Sequence, residues 1–289
     1  LNGIPINDQS TTQGLHNFGQ DFLQTIQQIE IYKGPSGAHF GPSAIGGAIN
    51  FITAIDYQNK VSIGGRDSLN NFINLNYSKI FKDDLHINFK GSLSNNKTNS
   101  SRFGGKEKDS AKNYQINLNS EKWINDNLKL NTTFYTRRTK ANYDTSSNDE
   151  SGFSHDKVYI FQKSLNKLTQ NTENCITFHY HHYNREYDES GYFDWYNSDS
   201  ILIKTERKID HLKNFSYGYG AEYKYDSGSF TDSGSWSSPS TKGNIDNFSI
   251  FGNIGWEPFE TVNFSIFTRR DKHKLTGNNS TFKLSFDKS

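Results

Sequence analysis

Residues Phe215 to Tyr225 read FSYGYGAEYKY. Phe215, Tyr217, Tyr219, Ala221, Tyr223 and Tyr225 alternate with Ser216, Gly218, Gly220, Glu222 and Lys224. A period of two belongs to an extended strand whose successive side chains stand on opposite faces, so this strand has one aromatic face and one small or charged face. The same alternation recurs at Leu85, Ile87, Phe89 and Leu93; at Tyr114, Ile116 and Leu118; at Ile176, Phe178 and Tyr180; at Phe248, Ile250, Gly252, Ile254 and Trp256; and at Phe282, Leu284 and Phe286. About twelve such segments begin near residues 58, 69, 84, 110, 126, 155, 173, 198, 213, 244, 260 and 278, roughly one per 19 residues. Soluble sandwiches space their strands at about 8 to 12 residues, whereas membrane barrels need strands of about 9 to 11 residues plus alternating short turns and long loops. Short turns are expected at Lys82 to Asp84, Asn125 to Asn127 and Pro258 to Glu260, and long polar loops at Asn95 to Lys112, Asn142 to Asp156 and Ser227 to Asn244. The expected fold is all-β, a transmembrane antiparallel β-barrel. On that reading Tyr219→Arg is damaging and Gly218→Ser is mild, because the first faces lipid and the second the lumen.

Composition narrows the classes. With 289 residues, 32% hydrophobic, and a mean hydropathy of −0.83, the chain lacks the runs of about 20 apolar residues that membrane helices require. An aromatic content of 15%, with 16 Tyr and 22 Phe, is foreign to disordered chains. Lys plus Arg number 32 against 31 for Asp plus Glu, a net charge of +1, so no global field draws nucleic acid. The single cysteine, Cys175, has no internal disulfide partner and cannot build a cysteine-based zinc site. No methionine occurs and Leu1 opens inside a patterned segment, so the chain reads as a fragment and location follows from fold.

Residues 1–55 have a different texture. No Asp, Glu, Lys or Arg occurs from Gly34 to Ile55. Five glycines (Gly34, Gly37, Gly41, Gly46, Gly47) and two prolines (Pro35, Pro42) oppose a membrane helix there by roughly 11 kcal/mol. Short strands are expected at Ile29 to Lys33 (IEIYK) and Ala48 to Thr53 (AINFIT). Gly34 and Pro35 suit a tight strand exit, and Gly46 and Gly47 suit positive φ or close backbone approach. A phosphate-binding loop is excluded because Gly34, Gly37 and Gly41 lack the Gly-Lys-Ser/Thr ending.

The stretch Ile29 to Thr53, IEIYKGPSGAHFGPSAIGGAINFIT, resembles the end of the plug domain of TonB-dependent outer-membrane receptors. The family pattern sets an Ile-Glu strand before a basic residue and Gly-Pro (Ile29, Glu30, Lys33, Gly34, Pro35), an aromatic-Gly pair (Phe40, Gly41), Ala-Ile-Gly-Gly (Ala44 to Gly47), and an Asn-bearing strand. Leu1 to Asp8, LNGIPIND, resembles the preceding plug strand and loop, with Asn2 where the family commonly has Asp. The resemblance implies residues 1–55 as the C-terminal part of a small α+β plug domain. Residues 56–289 would then be the N-terminal part of a barrel, about 12 of about 22 strands. It implies a bacterial outer-membrane transporter that takes up a scarce ligand without making or breaking bonds. A TonB-type energy-coupling protein of the inner membrane would be its partner, through a segment preceding Leu1, and outer-membrane lipid its surroundings.

Within the family the barrel half is similar to the vitamin B12 (cobalamin) receptors, so cobalamin or a ferric siderophore is the implied ligand. In that subfamily the loop at Asn7, Asp8, Gln9, Ser10 and Thr11 would meet it. Acidic loops carrying Asp144, Asp149, Asp188 and Asp194 would gather the six to eight oxygens of a Ca2+ ion, and the same residues also read as solvated acid. No covalent cofactor is implied. His179 and His181 share a strand face opposite Phe178 and Tyr180, near His182, with His155 and His211 elsewhere. They read as polar lumen residues or as ligands for a transition metal or haem iron. No catalytic constellation stands out. The rivals are a twelve-strand barrel enzyme, lipase-like or protease-like, which leaves the plug pattern unexplained, and a surface adhesin, which the aromatic faces oppose.

Overall fold

The computed structural model describes residues 1–11, 14, 25–34, 36–41, 43–53, 56–67, 70–82, 84–97, 109–144, 151–189, 192–212, 214–233, 240–259 and 262–288. The first 53 carry β1 (Gln28–Lys33), the one-turn helix α1 (Gly37–Phe40) and β2 (Gly47–Ile52). Strands β1 and β2 pair antiparallel with Ile31 opposite Ile49. Gly47, with φ of 145°, earns its place: a Cβ there would run into the Tyr32 carbonyl oxygen, whereas Gly46 faces open space. The expected domain boundary at Ile55 lies outside the described residues, as do Pro35 and Pro42.

Twelve strands follow: β3 (Lys60–Asp67), β4 (Asn70–Phe81), β5 (Leu85–Lys97), β6 (Ser110–Asn125), β7 (Leu128–Asp144), β8 (Ser151–Leu168), β9 (Thr172–Glu189), β10 (Tyr192–Leu212), β11 (Phe215–Asp232), β12 (Thr241–Phe259), β13 (Val262–His273) and β14 (Gly277–Lys288). They form one sheet in chain order, each antiparallel to the next. No helix among the described residues is long and apolar enough to cross a membrane. That says nothing against crossing by strands.

One edge of the sheet has only short connections, at 82–84, 126–127, 169–171, 213–214 and 260–261. The other edge has long ones at 98–109, 145–150 and 233–240, but short ones at 68–69, 190–191 and 274–276. Much of what reads as polar loop in the sequence is therefore strand. Ser227 to Asp232 and Thr241 to Asn244 continue the β11–β12 ladder, with Gly228 opposite Gly243. A hairpin ladder needs paired backbone groups and no apolar face, so it runs on past the lipid into water. β9 and β10, at 18 and 21 residues, far exceed the 9 to 11 or so that a crossing takes.

The two faces separate as the alternation requires. Tyr217, Tyr219, Tyr223, Ile250 and Ile254 are exposed on the outside, and Gly218, Glu222, Asn247 and Ser249 are buried on the inside. Phe215, Trp256, Phe264 and Phe286 lie side by side across β11 to β14 on the outer face, with ring centroids 5.9, 5.5 and 5.0 Å apart in turn. This aromatic row beside the short turns marks a membrane–water boundary. Tyr219, four residues up the strand, then sits near mid-depth.

The described residues among the first 53 pack on the inner face. Leu1 and Phe51 join Tyr135, Val158, Ile160 and Tyr183 of the wall in one small apolar cluster. Asn119 Nδ2 donates to the Thr53 carbonyl (2.7 Å), and Lys90 Nζ to Gln27 Oε1 (3.2 Å). Elsewhere the inner wall is lined by buried polar side chains such as Asn88, Gln115, Asn117 and Thr139.

Tyr219→Arg should cost about 2 to 4 kcal/mol of barrel stability in lipid. Gly218→Ser is less mild than the sequence implies, because its Cβ would stand 2.6 Å from Asn253 Oδ1 and 3.2 Å from the Arg207 carbonyl oxygen. A cost of about 1 to 3 kcal/mol is expected there, most of it removed by adding Asn253→Ala. Denaturant titration of the parent barrel in vesicles reads all three variants; an unchanged Tyr219→Arg would reverse the assignment of faces.

Candidate ligand site at the plug apex

The chain from Ile6 to Thr11 turns over against β9, β10 and β11. Asp8 is fully buried and organises the turn. Its Oδ1 accepts from Ser10 N (3.0 Å), Ser10 Oγ (2.5 Å) and Ser198 Oγ of β10 (2.8 Å). An Asp whose side chain caps the backbone two residues on is a standard way to fix a tight turn. Thr11 Oγ1 closes it by donating to the Asp8 carbonyl (3.0 Å), and Asn7 Nδ2 donates to the Gly14 carbonyl (2.7 Å).

Strand β9 supplies the grip. Tyr183 Oη donates to the Ile6 carbonyl (2.7 Å), His181 Nε2 to the Asn7 carbonyl (3.3 Å), and Arg185 NH2 lies 3.0 Å from Asp8 Oδ2. Arg185 Nε is also 3.3 Å from Asp156 Oδ1 of β8. One guanidinium thus neutralises two buried carboxylates, one from the plug and one from the wall. Gly228 of β11 completes the seat, since a Cβ there would be 2.9 Å from the Gln9 carbonyl oxygen. Of the five apex residues, Asp8 is an anchor, while Gln9, Ser10 and Thr11 are half-buried on the turn.

Immediately outward of this seat the wall changes character. Arg185 pairs in register with Tyr196, which pairs with Phe230. Tyr187, Tyr196 and Phe230 form a run of rings on the inner face, extended by Tyr143 of β7. The contacts are Tyr143–Tyr187 (5.7 Å, edge-on), Tyr187–Tyr196 (5.9 Å, edge-on) and Tyr196–Phe230 (4.8 Å, tilted). The Arg185 guanidinium lies 6.0 Å from the Tyr187 ring. Beyond the rings, Asp194 stands opposite Asp232, and Glu189 accepts from Tyr143 Oη (3.0 Å). Burial, then the facing Asp232 and Glu189, push the Asp194 carboxyl above the usual carboxylate range. Asp194 is three residues from the outer end of β10, well above the lipid.

The acidic set expected to hold calcium is not assembled by the described residues. Asp188 pairs with Phe193 and faces outward, whereas Asp194 pairs with Tyr187 and faces the lumen. Asp149 and the side chain of Asp144 lie outside the described residues. Among the described residues no group of three or more His, Cys, Asp or Glu could hold a metal. His179 and His181 are both fully buried on the inner face and touch each other, Nε2 to Nδ1 at 3.1 Å. His182, outward, pairs with Asp199 (2.9 Å), and His155 faces outward as well. The His211 side chain is outside the described residues.

Sequence reading missed Arg185, Ser198 and Gly228, and the ring run. A signal existed for the rings: once Phe178 and Tyr180 are outward, parity sends Tyr187 inward, to a face that is otherwise polar.

Residues 1–48 match the family model of the TonB-dependent Receptor Plug Domain. No curated protein matches the chain by sequence. Among solved structures the chain is similar to the siderophore receptor PiuA of Acinetobacter baumannii, with 14% identity, 91% of this chain and 51% of that one covered, and a TM-score of 0.69. It is similar to a mutant of the ferric enterobactin receptor PfeA of Pseudomonas aeruginosa (13% identity, 94% and 47% covered, TM-score 0.76). The outer membrane transporter YddB of Escherichia coli is a third (13%, 99% and 49%, 0.71). The chain spans about half the length of these structures.

Arg185→Met would strip Asp8 of its cation and leave Asp156 with the neighbouring Arg137 alone, and should loosen the apex by about 3 to 5 kcal/mol. Asp8→Asn should cost clearly less, because Arg185 keeps Asp156. Proteolytic cleavage within residues 6–14 of the parent receptor, followed against urea, measures both; equal effects would deny Arg185 its bridging role.

Proposed function

We infer that this chain, a TonB-dependent receptor plug domain joined to half of the barrel wall that surrounds it, is part of a bacterial outer-membrane transporter and not of an enzyme. We propose that the whole receptor captures an iron–siderophore chelate at its outer mouth and passes it inward when an inner-membrane TonB-type protein displaces the plug. The carrying observation is the juxtaposition at the apex: a turn, Gln9 to Thr11, seated on Arg185, Ser198 and Gly228, directly beneath the ring run of Tyr187, Tyr196 and Phe230. A ligand resting on the rings also rests on the plug. Aromatic faces supply contact area at low entropy cost, and the plug turn beneath them makes occupancy detectable at the segment that must move.

An iron chelate is favoured over cobalamin on one point. The calcium-ordered acidic clamp that motivates cobalamin needs carboxylates on one side of the wall, and Asp188 and Asp194 stand on opposite sides. The similar solved structures include a siderophore receptor and a ferric enterobactin receptor, which leans the same way.

Uptake and binding of radio-iron chelates, one hydroxamate and one catecholate, by cells carrying the parent receptor test this. Uptake should stop with a protonophore while binding persists. Tyr187→Ala or Tyr196→Ala should weaken binding by about 2 kcal/mol, roughly 30-fold. No iron accumulation above a strain lacking the receptor would refute the proposal.

A further inference from the structure

Below the apex, where β9 lies beneath the plug, three side-chain polar atoms are buried without a hydrogen-bond partner: His179 Nδ1, Gln162 Oε1 and Ser200 Oγ. They cluster by register, since Gln162 of β8 is opposite His179 and Ser200 of β10 is opposite His181. His179, His181 and Ser200 are all fully buried. Three neighbouring polar atoms without a partner leave hydrogen-bonding capacity that a small polar guest can take.

We propose that His179 and His181 form a binding site for a late first-row transition ion, Cu2+ above all, in the seam between plug and barrel. His179 Nε2 and His181 Nδ1 face each other at 3.1 Å. With metal–nitrogen bonds of about 2.0 to 2.1 Å, that separation corresponds to an angle at the metal of roughly 100°, the angle of two neighbouring ligands in square-planar or tetrahedral coordination.

The tautomers fit the same reading. His181 Nε2 donates to the Asn7 carbonyl, so its Nδ1 carries a lone pair. In the metal-free state His179 fills the gap with its Nε2 proton. Its Nδ1 is then an acceptor without a donor, as is Oε1 of Gln162 at the paired position on β8. When an ion enters, the His179 proton moves from Nε2 to Nδ1, both facing nitrogens become ligands, and no net proton is released. The new N–H is a donor at the position paired with Gln162, whose Oε1 is an unused acceptor. Ser200 Oγ offers an oxygen on the β10 side. The Asn7 carbonyl is the outer-shell group that orients His181, as metal-bound imidazoles require, so movement of the plug turn away from β9 removes an element of the site.

The test uses the full parent receptor, purified without a histidine tag, stripped of metal and titrated with Cu2+. The expected result is one tight ion per receptor whose electron paramagnetic resonance spectrum shows coupling to two imidazole nitrogens. His179→Gln or His181→Gln alone should each remove one nitrogen and weaken binding at least 100-fold, while His182→Gln, on the outer face, should change nothing. A water molecule in the pocket predicts no two-nitrogen signal. Absence of that signal, or its persistence in both His179→Gln and His181→Gln, overturns the proposal.

Discussion

A strand crossing hydrocarbon has nowhere to send its backbone N–H and C=O groups except to neighbouring strands. Every other feature of this chain follows from that constraint. Twelve strands pair each with the next, with register shifts confined to strand ends, so each is an alternating ribbon and each position is committed either to lipid or to the lumen. Outward positions can then be greasy without penalty, as Tyr219, Ile250 and Phe282 are. Inward positions become polar and need partners, and in this structure many of them find those partners in the plug.

The plug is held as a polar body against a polar wall, with a small apolar cluster around Leu1, Phe51 and Ile160. Among the described residues, plug and wall are joined by an ion pair where Arg185 sits between Asp8 and Asp156. An interface of hydrogen bonds and one ionic bridge is rigid when every group is matched and is released together when a few are broken. Under the function proposed above, that suits a part that stays in place between transport events and leaves on demand. A hydrophobic core of the same area would resist any such exit.

Much of this was legible beforehand because the period of two is a physical signature of pairing. The Phe215 strand disclosed both faces, and parity alone put His179 and His181 in the lumen. Loops were misjudged for a related reason. Ser227 to Asp232 is polar apart from Phe230, and the start of β10, Tyr192 to Tyr196, carries aromatic residues on both faces, so alternation in hydropathy could not show a ladder that continues into water. The apex was half legible. Its position came from a resemblance, but the role of Asp8 did not, because a buried anchor and a ligand contact look alike until Arg185, 177 residues away in sequence, is seen beside it. Asp188 and Asp194, six residues apart, looked like one acidic cluster; the register of β9 on β10 puts them on opposite faces.

Whether the apex must leave its seat for transport can be measured by locking it there. A Cβ at Gly228 would lie 3.4 Å from the Ser10 Cα, which brings a Ser10→Cys, Gly228→Cys disulfide within reach once the Gln9 carbonyl, 2.9 Å from that Cβ, shifts aside. The oxidised receptor should bind an iron chelate at its mouth yet import none, and reduction should restore import. Undiminished import through the oxidised, fully cross-linked receptor would contradict the account.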